Sequence, residues 1–119
     1  MSEMMKPSDT IVMRGNCYSY GDFAELYELY ASESDFRAFF VDASMYEEHA
    51  VYFQSKESKF VALEIIDERI DGDTAEVNFI EEFEDLTTTP SHPVKYTTKC
   101  TLVLEDEVWK ILSEEREER

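Results

Sequence analysis

The chain of 119 residues has the length of one domain, and 43% of its residues are apolar, which is enough for a single hydrophobic core. Its 28 acidic against 11 basic residues give a formal net charge of -17, which repels phosphate backbones and argues against nucleic-acid binding. No apolar run approaches the ~20 residues of a membrane span, and residues 1–7 lack a secretory signal. We therefore expect a cytoplasmic protein without a membrane partner, for which a basic protein is a favourable partner.

The segment of residues 8–20 is compatible with two structures. A helical stripe is formed by Met13, Cys17 and Tyr20. The apolar runs on either side of residues 14–16 could instead pair as a β-hairpin. We favour the helix, because the pair Gly21-Asp22 is typical of a corner between two helices.

Three further helical segments follow. One begins at Asp22, with Glu25 three residues later as in a capping box, and its apolar face comprises Phe23, Leu26, Tyr27 and Tyr30. Another begins at Ser44, and its corresponding face comprises Tyr46, His49, Ala50 and Phe53. Between them, residues 34–41 are predicted to form a short helical turn with Phe36, Phe39 and Phe40 at helical spacing.

Near residue 58 the apolar period changes from that of a helix to that of a strand. A branched run, Phe60–Ile70, ends at the hairpin dipeptide Asp71-Gly72. Two more alternating runs follow, over residues 75–83 and 94–104, and an acidic turn leads to a last run over 108–113. These runs predict a four-stranded antiparallel meander. The tail Glu114–Arg119 has no apolar anchor, and we expect it to be frayed or partly helical.

An antiparallel sheet with one apolar face must be covered, and only the N-terminal segments can cover it. The predicted fold class is therefore α+β, with N-terminal helices packed on a curved four-stranded antiparallel sheet. We expect a flexible N-terminus over residues 1–8, a single domain over residues 9–115 and a charged tail over residues 116–119.

Three stretches of sequence are similar to a known superfamily. They are the helical Tyr20-Gly21-Asp22-Phe23, the hairpin of residues 71–77, and the acidic turn of residues 105–107 followed by Val108-Trp109-Lys110-Ile111. Together they resemble the nuclear transport factor 2-like superfamily, a cystatin-like α+β cone, over roughly Thr10–Ser113. The early strand that usually follows the helices is not obvious here. The resemblance implies either a non-catalytic binding or dimerising module or an isomerase-, dehydratase- or cyclase-like enzyme whose acids and bases lie inside the cone.

Two titratable residues are candidates for acid–base chemistry. His49 shares a helical face with Tyr46 and could act as a general base, although a histidine at the edge of a packed face is the simpler interpretation. Strict alternation turns Glu81 inward, where desolvation would raise its pKa and suit it to shuttle protons. Alternatively, Glu81-Glu82 marks a bulge or the end of the strand, where the acid meets water.

Five aromatic residues are candidates for lining a ligand pocket: Tyr27, Tyr30, Tyr46, Tyr96 and Trp109. The simpler interpretation is that they pack in the core. Cys17 and Cys100 lack the spacing of a zinc site and are expected to be reduced, buried thiols, so we predict neither a metal nor a cofactor.

No nucleophile elbow, phosphate loop or dinucleotide fingerprint occurs in the sequence. Because neither histidine nor any inward-facing acid has an identifiable partner in the sequence, we predict a non-catalytic module that binds a small apolar ligand or a protein. The alternative is a cofactor-independent isomerase-, dehydratase- or cyclase-like enzyme that uses His49 or Glu81. Because both parities of Phe60–Ile70 are apolar, we also expect a homodimer through the exposed face of the sheet, strengthened by salt.

Overall fold

A computed structural model describes residues 6–56 and 58–119, leaving the side chains of residues 51–56 outside the description. In chain order the elements are α1 (Pro7–Tyr20), α2 (Phe23–Glu28), α3 (Asp35–Phe39), α4 (Ala43–Lys56), β1 (Ser58–Asp71), β2 (Thr74–Asp85), β3 (His92–Glu105) and β4 (Val108–Glu118). The strands form one antiparallel sheet in the order β1-β2-β3-β4. This is the predicted α+β architecture, with the helices before the meander.

Helix α1 confirms the helical interpretation of residues 8–20. It begins at Pro7 and ends at Tyr20. The next residue, Gly21, has a φ of 71°, which allows the Asp22 amide to donate to the Cys17 carbonyl at 2.9 Å. The predicted stripe, however, is wrong in its orientation. Tyr20 is 86% exposed, and the buried face is formed by Pro7, Thr10, Ile11, Arg14, Gly15 and Cys17.

The orientation of α1 is explained by its close approach to the sheet. A Cβ atom at Gly15 would lie 3.0 Å from the Phe60 ring, so a larger residue here would require the ring or the helix to shift. The helix therefore turns the Gly15 face inward, and the side chains that precede and follow it, Ile11 and Cys17, pack in the core.

The other helix starts are set by side-chain caps. Asp22 accepts from the Glu25 amide at 3.4 Å, and Ser34 accepts from the Arg37 amide at 3.2 Å. The predicted start of α4 at Ser44 is wrong by one residue, because the helix begins at Ala43 and the Asp42 carboxylate accepts from the Met45 amide at 2.8 Å. Phe53 of the predicted apolar face lies outside the described side chains.

Strand β1 contains two register shifts that explain its apolar residues on both parities. The pairing with β2 skips Val61 and Ile66, so each is an extra, bulged residue. Across the bulges, Phe60, Leu63 and Ile65 stay half-buried on the helix side, whereas Val61 and Ile66 are 49% and 51% exposed. Three of the seven apolar residues of β1 therefore share the helix side, and the other four, Val61, Ala62, Ile66 and Ile70, are exposed.

The tail is not frayed or helical, which corrects the expectation for residues 114–119. Strand β4 runs to Glu118 and pairs with β3 as far as Tyr96. The tail lacks an apolar anchor, but the Arg116 guanidinium contacts the buried Glu81 carboxylate at 2.6 Å and replaces that anchor with an ionic one.

The early strand that the sequence did not reveal is reduced to a single parallel bridge between Tyr30 and Ile111. The Ile111 amide donates to the Leu29 carbonyl and the Ala31 amide donates to the Ile111 carbonyl, both at 2.8 Å. The core lies between this bridge, α1, α2 and the concave face of the sheet. Among the described residues, no helix has the length and apolarity needed to cross a membrane.

Candidate functional site

A cluster of charged side chains lies under α1, on the concave face of the sheet. It consists of Arg14 from α1, Glu81 from β2, Thr98 from β3, and Glu114 and Arg116 from β4, and it is called the ion cluster here. Alternation along β2 places Glu81 on the same face as Phe79 and Phe83. Arg14 reaches this face because it is three residues from Ile11 on the buried side of α1.

Glu81 is bound on both oxygens. Its Oε2 lies 2.6 Å from Arg14 Nη1, while its Oε1 accepts from Thr98 Oγ1 at 3.0 Å and from Arg116 Nη2 at 2.6 Å. The Arg14 side chain is 1% exposed and that of Glu81 is 0% exposed. Such short bonds between charged partners are the strong class of hydrogen bond, so this carboxylate is held in one position.

The second carboxylate of the ion cluster is nearer to solvent. Glu114 Oε1 accepts from Arg14 Nε at 3.1 Å and also from the Tyr30 hydroxyl. Two arginines thus face two glutamates, and the cluster is electrically neutral. No described buried side-chain nitrogen or oxygen lacks a hydrogen-bond partner, which is the condition under which buried charges are tolerated.

The electrostatics of the ion cluster keep Glu81 ionised. Burial on its own raises the pKa of Glu81, but the charges and hydrogen bonds of Arg14 and Arg116, together with Thr98, outweigh burial and hold the pKa below its ordinary value. The expectation of a raised pKa at this position is therefore wrong. Burial likewise tends to lower the pKa of Arg14, yet the charge of Glu114 and then of neighbouring groups raises it well above its usual range.

A row of four aromatic rings borders the ion cluster and is called the aromatic row. The rings of Tyr18, Phe60, Phe83 and Tyr96 follow one another with centroid separations of 5.6–6.2 Å. The Arg116 guanidinium carbon lies 4.6 Å from the Tyr96 centroid, and that of Arg14 lies 5.0 Å from the Tyr18 centroid. The aromatic row therefore covers the charged groups with apolar surface.

The aromatic row continues into an open groove with a volume of about 540 Å³. The groove lies between the end of α1 and the beginning of β1, and its described lining comprises Tyr18, Ser19, Tyr20, Gly21, Phe23, Lys59, Phe60 and Leu86. Tyr18 and Phe60 belong both to the row and to the groove. Lys59 is the one charged side chain among these lining residues. The volume is within the range of small-molecule sites.

The structure places the two predicted acid–base candidates in different surroundings. His49 is exposed on α4, with its ring centroid 5.2 Å from that of Phe40. Glu81 is buried in the ion cluster beneath α1. The alternative that Glu81-Glu82 marks a bulge or a strand end is wrong, because β2 continues to Asp85 and both β1–β2 bulges lie in β1.

The five predicted pocket aromatics are dispersed among different surroundings. Tyr27, Tyr46 and Trp109 are buried in the apolar core, and the Tyr27 hydroxyl donates to the Phe40 carbonyl at 2.8 Å. Tyr30 reaches Glu114 of the ion cluster, and Tyr96 lies in the aromatic row. None of the five belongs to the described lining of the groove.

Arg14, Glu114 and Arg116 were missed in the sequence. For Arg14 the signal was its position between Ile11 and Cys17 on one helical face, since a charge on an apolar face requires a buried counter-charge. For Glu114 and Arg116 the signal was that residues two apart lie on the same face of a strand, within a segment that the sequence presents as a tail. Strand β4 has one extra residue opposite Thr101 and Leu102, so the even-numbered Glu114 and Arg116 share a face with the odd-numbered Trp109 and Ile111. The alternation of apolar residues therefore does not reveal this face in the sequence.

Neither thiol forms a disulfide, and both are buried, as expected. Burial raises the pKa of Cys17 to about 11 and raises that of Cys100 as well. Within residues 6–56 and 58–119, no three histidine, cysteine or acidic side chains converge in a way that could hold a metal ion.

Comparison with known proteins identifies the fold. No family model and no curated protein sequence matches the chain. Among solved structures, a ketosteroid isomerase-like protein from Erwinia carotovora atroseptica is 13% identical with a TM-score of 0.74, and the match covers 98% of this chain and 96% of that chain. A SEC-C motif containing protein from Rhodopseudomonas palustris is 19% identical with a TM-score of 0.71, covering 92% and 77%. An NTF2-like protein with a cystatin-like fold from Novosphingobium aromaticivorans is 12% identical with a TM-score of 0.61, covering 91% and 76%.

Proposed function

We propose that this chain, which has the nuclear transport factor 2-like, cystatin-like fold, is a non-catalytic module that binds a small apolar ligand in the groove beside the aromatic row. The groove offers the rings of Tyr18 and Phe60 and the exposed ring of Tyr20 as a contact surface. Flat apolar molecules gain binding energy from such rings by burial and by stacking.

The observation that carries this proposal is the state of Glu81. A group that acts as a general acid or base must exchange a proton with its ligand, and its pKa should lie near the working pH. Glu81 instead has a lowered pKa, no exposure, and two arginine partners at 2.6 Å. The interior position in which an enzyme of this shape would keep its acid or base is thus occupied by a neutralised ion pair, which favours binding over turnover.

Titration of the isotope-labelled protein with 2-naphthamide, a neutral bicyclic probe, tests the proposal by NMR. We expect amide shifts confined to residues 18–23 and 59–60. The variant Tyr20→Ala removes a ring that is 86% exposed, so the fold is retained, and it should weaken binding about three- to tenfold by removing a stacking partner. Phe39→Ala, in which a 68% exposed ring outside the described groove lining is removed, is the matched control and should bind normally.

Two results would overturn the proposed function. One is the absence of saturable shifts in the groove. The other is turnover of a small carbonyl substrate that is lost in Glu81→Gln or His49→Ala while the variant remains folded, because that loss would assign the chain to the isomerase-, dehydratase- or cyclase-like enzymes instead.

A further inference from the structure

Lys59 is the charged side chain of the described groove lining, whereas three other lysines of the described surface bind acceptors elsewhere. Lys95 and Lys99 pair with Glu82 and Glu115, and Lys110 donates to the Glu28 carbonyl. Lys59 is exposed, and no described carboxylate lies within ion-pair distance of it. Among the described residues, no carboxylate therefore neutralises its ammonium, although the chain has 28 acidic residues.

The nearest acid across the strand pair is engaged elsewhere. In the β1–β2 register Lys59 is opposite Glu84, and the Glu84 carboxylate accepts a hydrogen bond from the Ser91 hydroxyl. The Lys59 side chain instead contributes to the groove, where the other described lining residues are uncharged. Among its described lining residues the groove therefore carries one charge, which is positive, on a molecule with a net charge of -17.

We propose that the ligand of the groove is a flat apolar molecule that carries an anionic group, and that the Lys59 ammonium binds this group while the Tyr18 and Phe60 rings contact the apolar part. This inference rests on the proposed function and adds the ligand's charge to it. The overall negative charge repels anions at long range, but solvent ions screen it beyond about 8 Å at physiological ionic strength. An unpaired ammonium at contact distance then determines which ligands the groove prefers.

The test compares two probes that share a ring system and differ in charge. Affinities for 2-naphthoate and for 2-naphthamide are measured by NMR titration at neutral pH. We expect the wild-type chain to bind the carboxylate about three- to fivefold more tightly, since an exposed ion pair contributes up to about 1 kcal/mol. Lys59→Gln should abolish this preference, so that the variant binds the two probes with about equal affinity.

Lys95→Gln is the matched control, because it changes the net charge by the same amount outside the described groove lining. It should retain the preference for 2-naphthoate. Equal affinities in the wild-type chain, or a preference that persists in Lys59→Gln, would overturn the anionic-ligand inference and leave the binding function intact. Failure of both probes to bind in the groove would instead overturn the proposed function itself.

Discussion

Glu81 and Glu82 are neighbours on β2, but their side chains lie on opposite faces of the sheet and differ in burial and in ion pairing. Glu81 is fully buried and lies 2.6 Å from both Arg14 and Arg116. Glu82 is 26% exposed, and its oxygen lies 3.8 Å from the ammonium of Lys95, which is itself 59% exposed. Identical chemistry on adjacent residues thus forms a fixed contact on the concave face and a loose, hydrated pair on the outer face.

The comparison indicates that burial, and not the presence of opposite charges alone, determines how much an ion pair contributes to the free energy of unfolding. On the outer face water already solvates both charges, so bringing them together changes little. On the concave face each charge depends on its partner, because removing one leaves the other desolvated and uncompensated. Substitutions in the ion cluster and in the outer pairs test this difference, and the largest effect is expected at Arg14.

Arg14→Ala should have the largest effect on stability. It leaves the buried Glu81 with Arg116 as its one cationic partner and deprives Glu114 of its arginine, so we expect a loss of about 3–5 kcal/mol in the free energy of unfolding. Urea denaturation followed by circular dichroism measures it. A loss below about 1 kcal/mol, the range of exposed pairs, would show that the two faces do not differ in this way.

Glu81→Gln should cost less, about 2–3 kcal/mol, because Arg14 keeps Glu114 and the amide still accepts hydrogen bonds. It should also alter the pH dependence of stability. The folded pKa of Glu81 lies below the unfolded value, so its contribution is complete above the ordinary pKa of about 4.3 and is lost as the pH falls through the folded pKa.

Comparing the pH dependence of stability in the wild-type chain and in Glu81→Gln isolates the contribution of Glu81 from that of the other carboxylates. In the acid range the unfolded wild-type chain binds more protons than the folded chain at this site, so stability should fall more steeply on acidification than in Glu81→Gln. Urea denaturation over a series of acidic pH values compares the two slopes. Parallel slopes would mean that the pKa of Glu81 is not lowered in the folded state relative to the unfolded chain.

Homodimerisation through the outer face remains a prediction from the sequence. Two chains of charge -17 repel each other, so raising the ionic strength from low to moderate values should increase the association constant about tenfold. Sedimentation equilibrium measures this change. Ile66→Ser, at a half-exposed bulge, should weaken the dimer, whereas Val41→Ser, at an exposed position preceding α4, should not. A strict monomer at both ionic strengths would contradict the prediction.

The outer pairs should have the smallest effect. Lys95→Ala and Lys99→Ala remove pairs of 3.8 and 3.4 Å between exposed side chains, and each should change the free energy of unfolding by less than about 1 kcal/mol. The same urea assay applies. If either variant lost as much stability as Arg14→Ala, the outer face would contain a pair as dependent on its partner as the ion cluster.

The period of apolar residues predicted three helical segments and four strands, but it left residues 8–20 open between a helix and a hairpin and missed the end of β4. It was sufficient to turn Glu81 inward, since alternation along β2 is uninterrupted. It could not identify the partners of Glu81. Arg14 and Arg116 are 67 and 35 residues distant in sequence, and only the folded register brings them to the same carboxylate. The groove residue Lys59 carries no sequence signal, because an isolated lysine at a strand start is ordinary.

The bulges at Val61 and Ile66 make this edge of the sheet a poor template for pairing with another extended chain. Strand β1 is at an edge of the sheet and is 14 residues long, so a regular, flat β1 would offer a continuous row of amides and carbonyls to any other extended chain. Two interruptions divide that row into short stretches and increase the local twist, so a foreign strand cannot stay in register along it. An edge with so many branched apolar residues is thereby protected against templated aggregation.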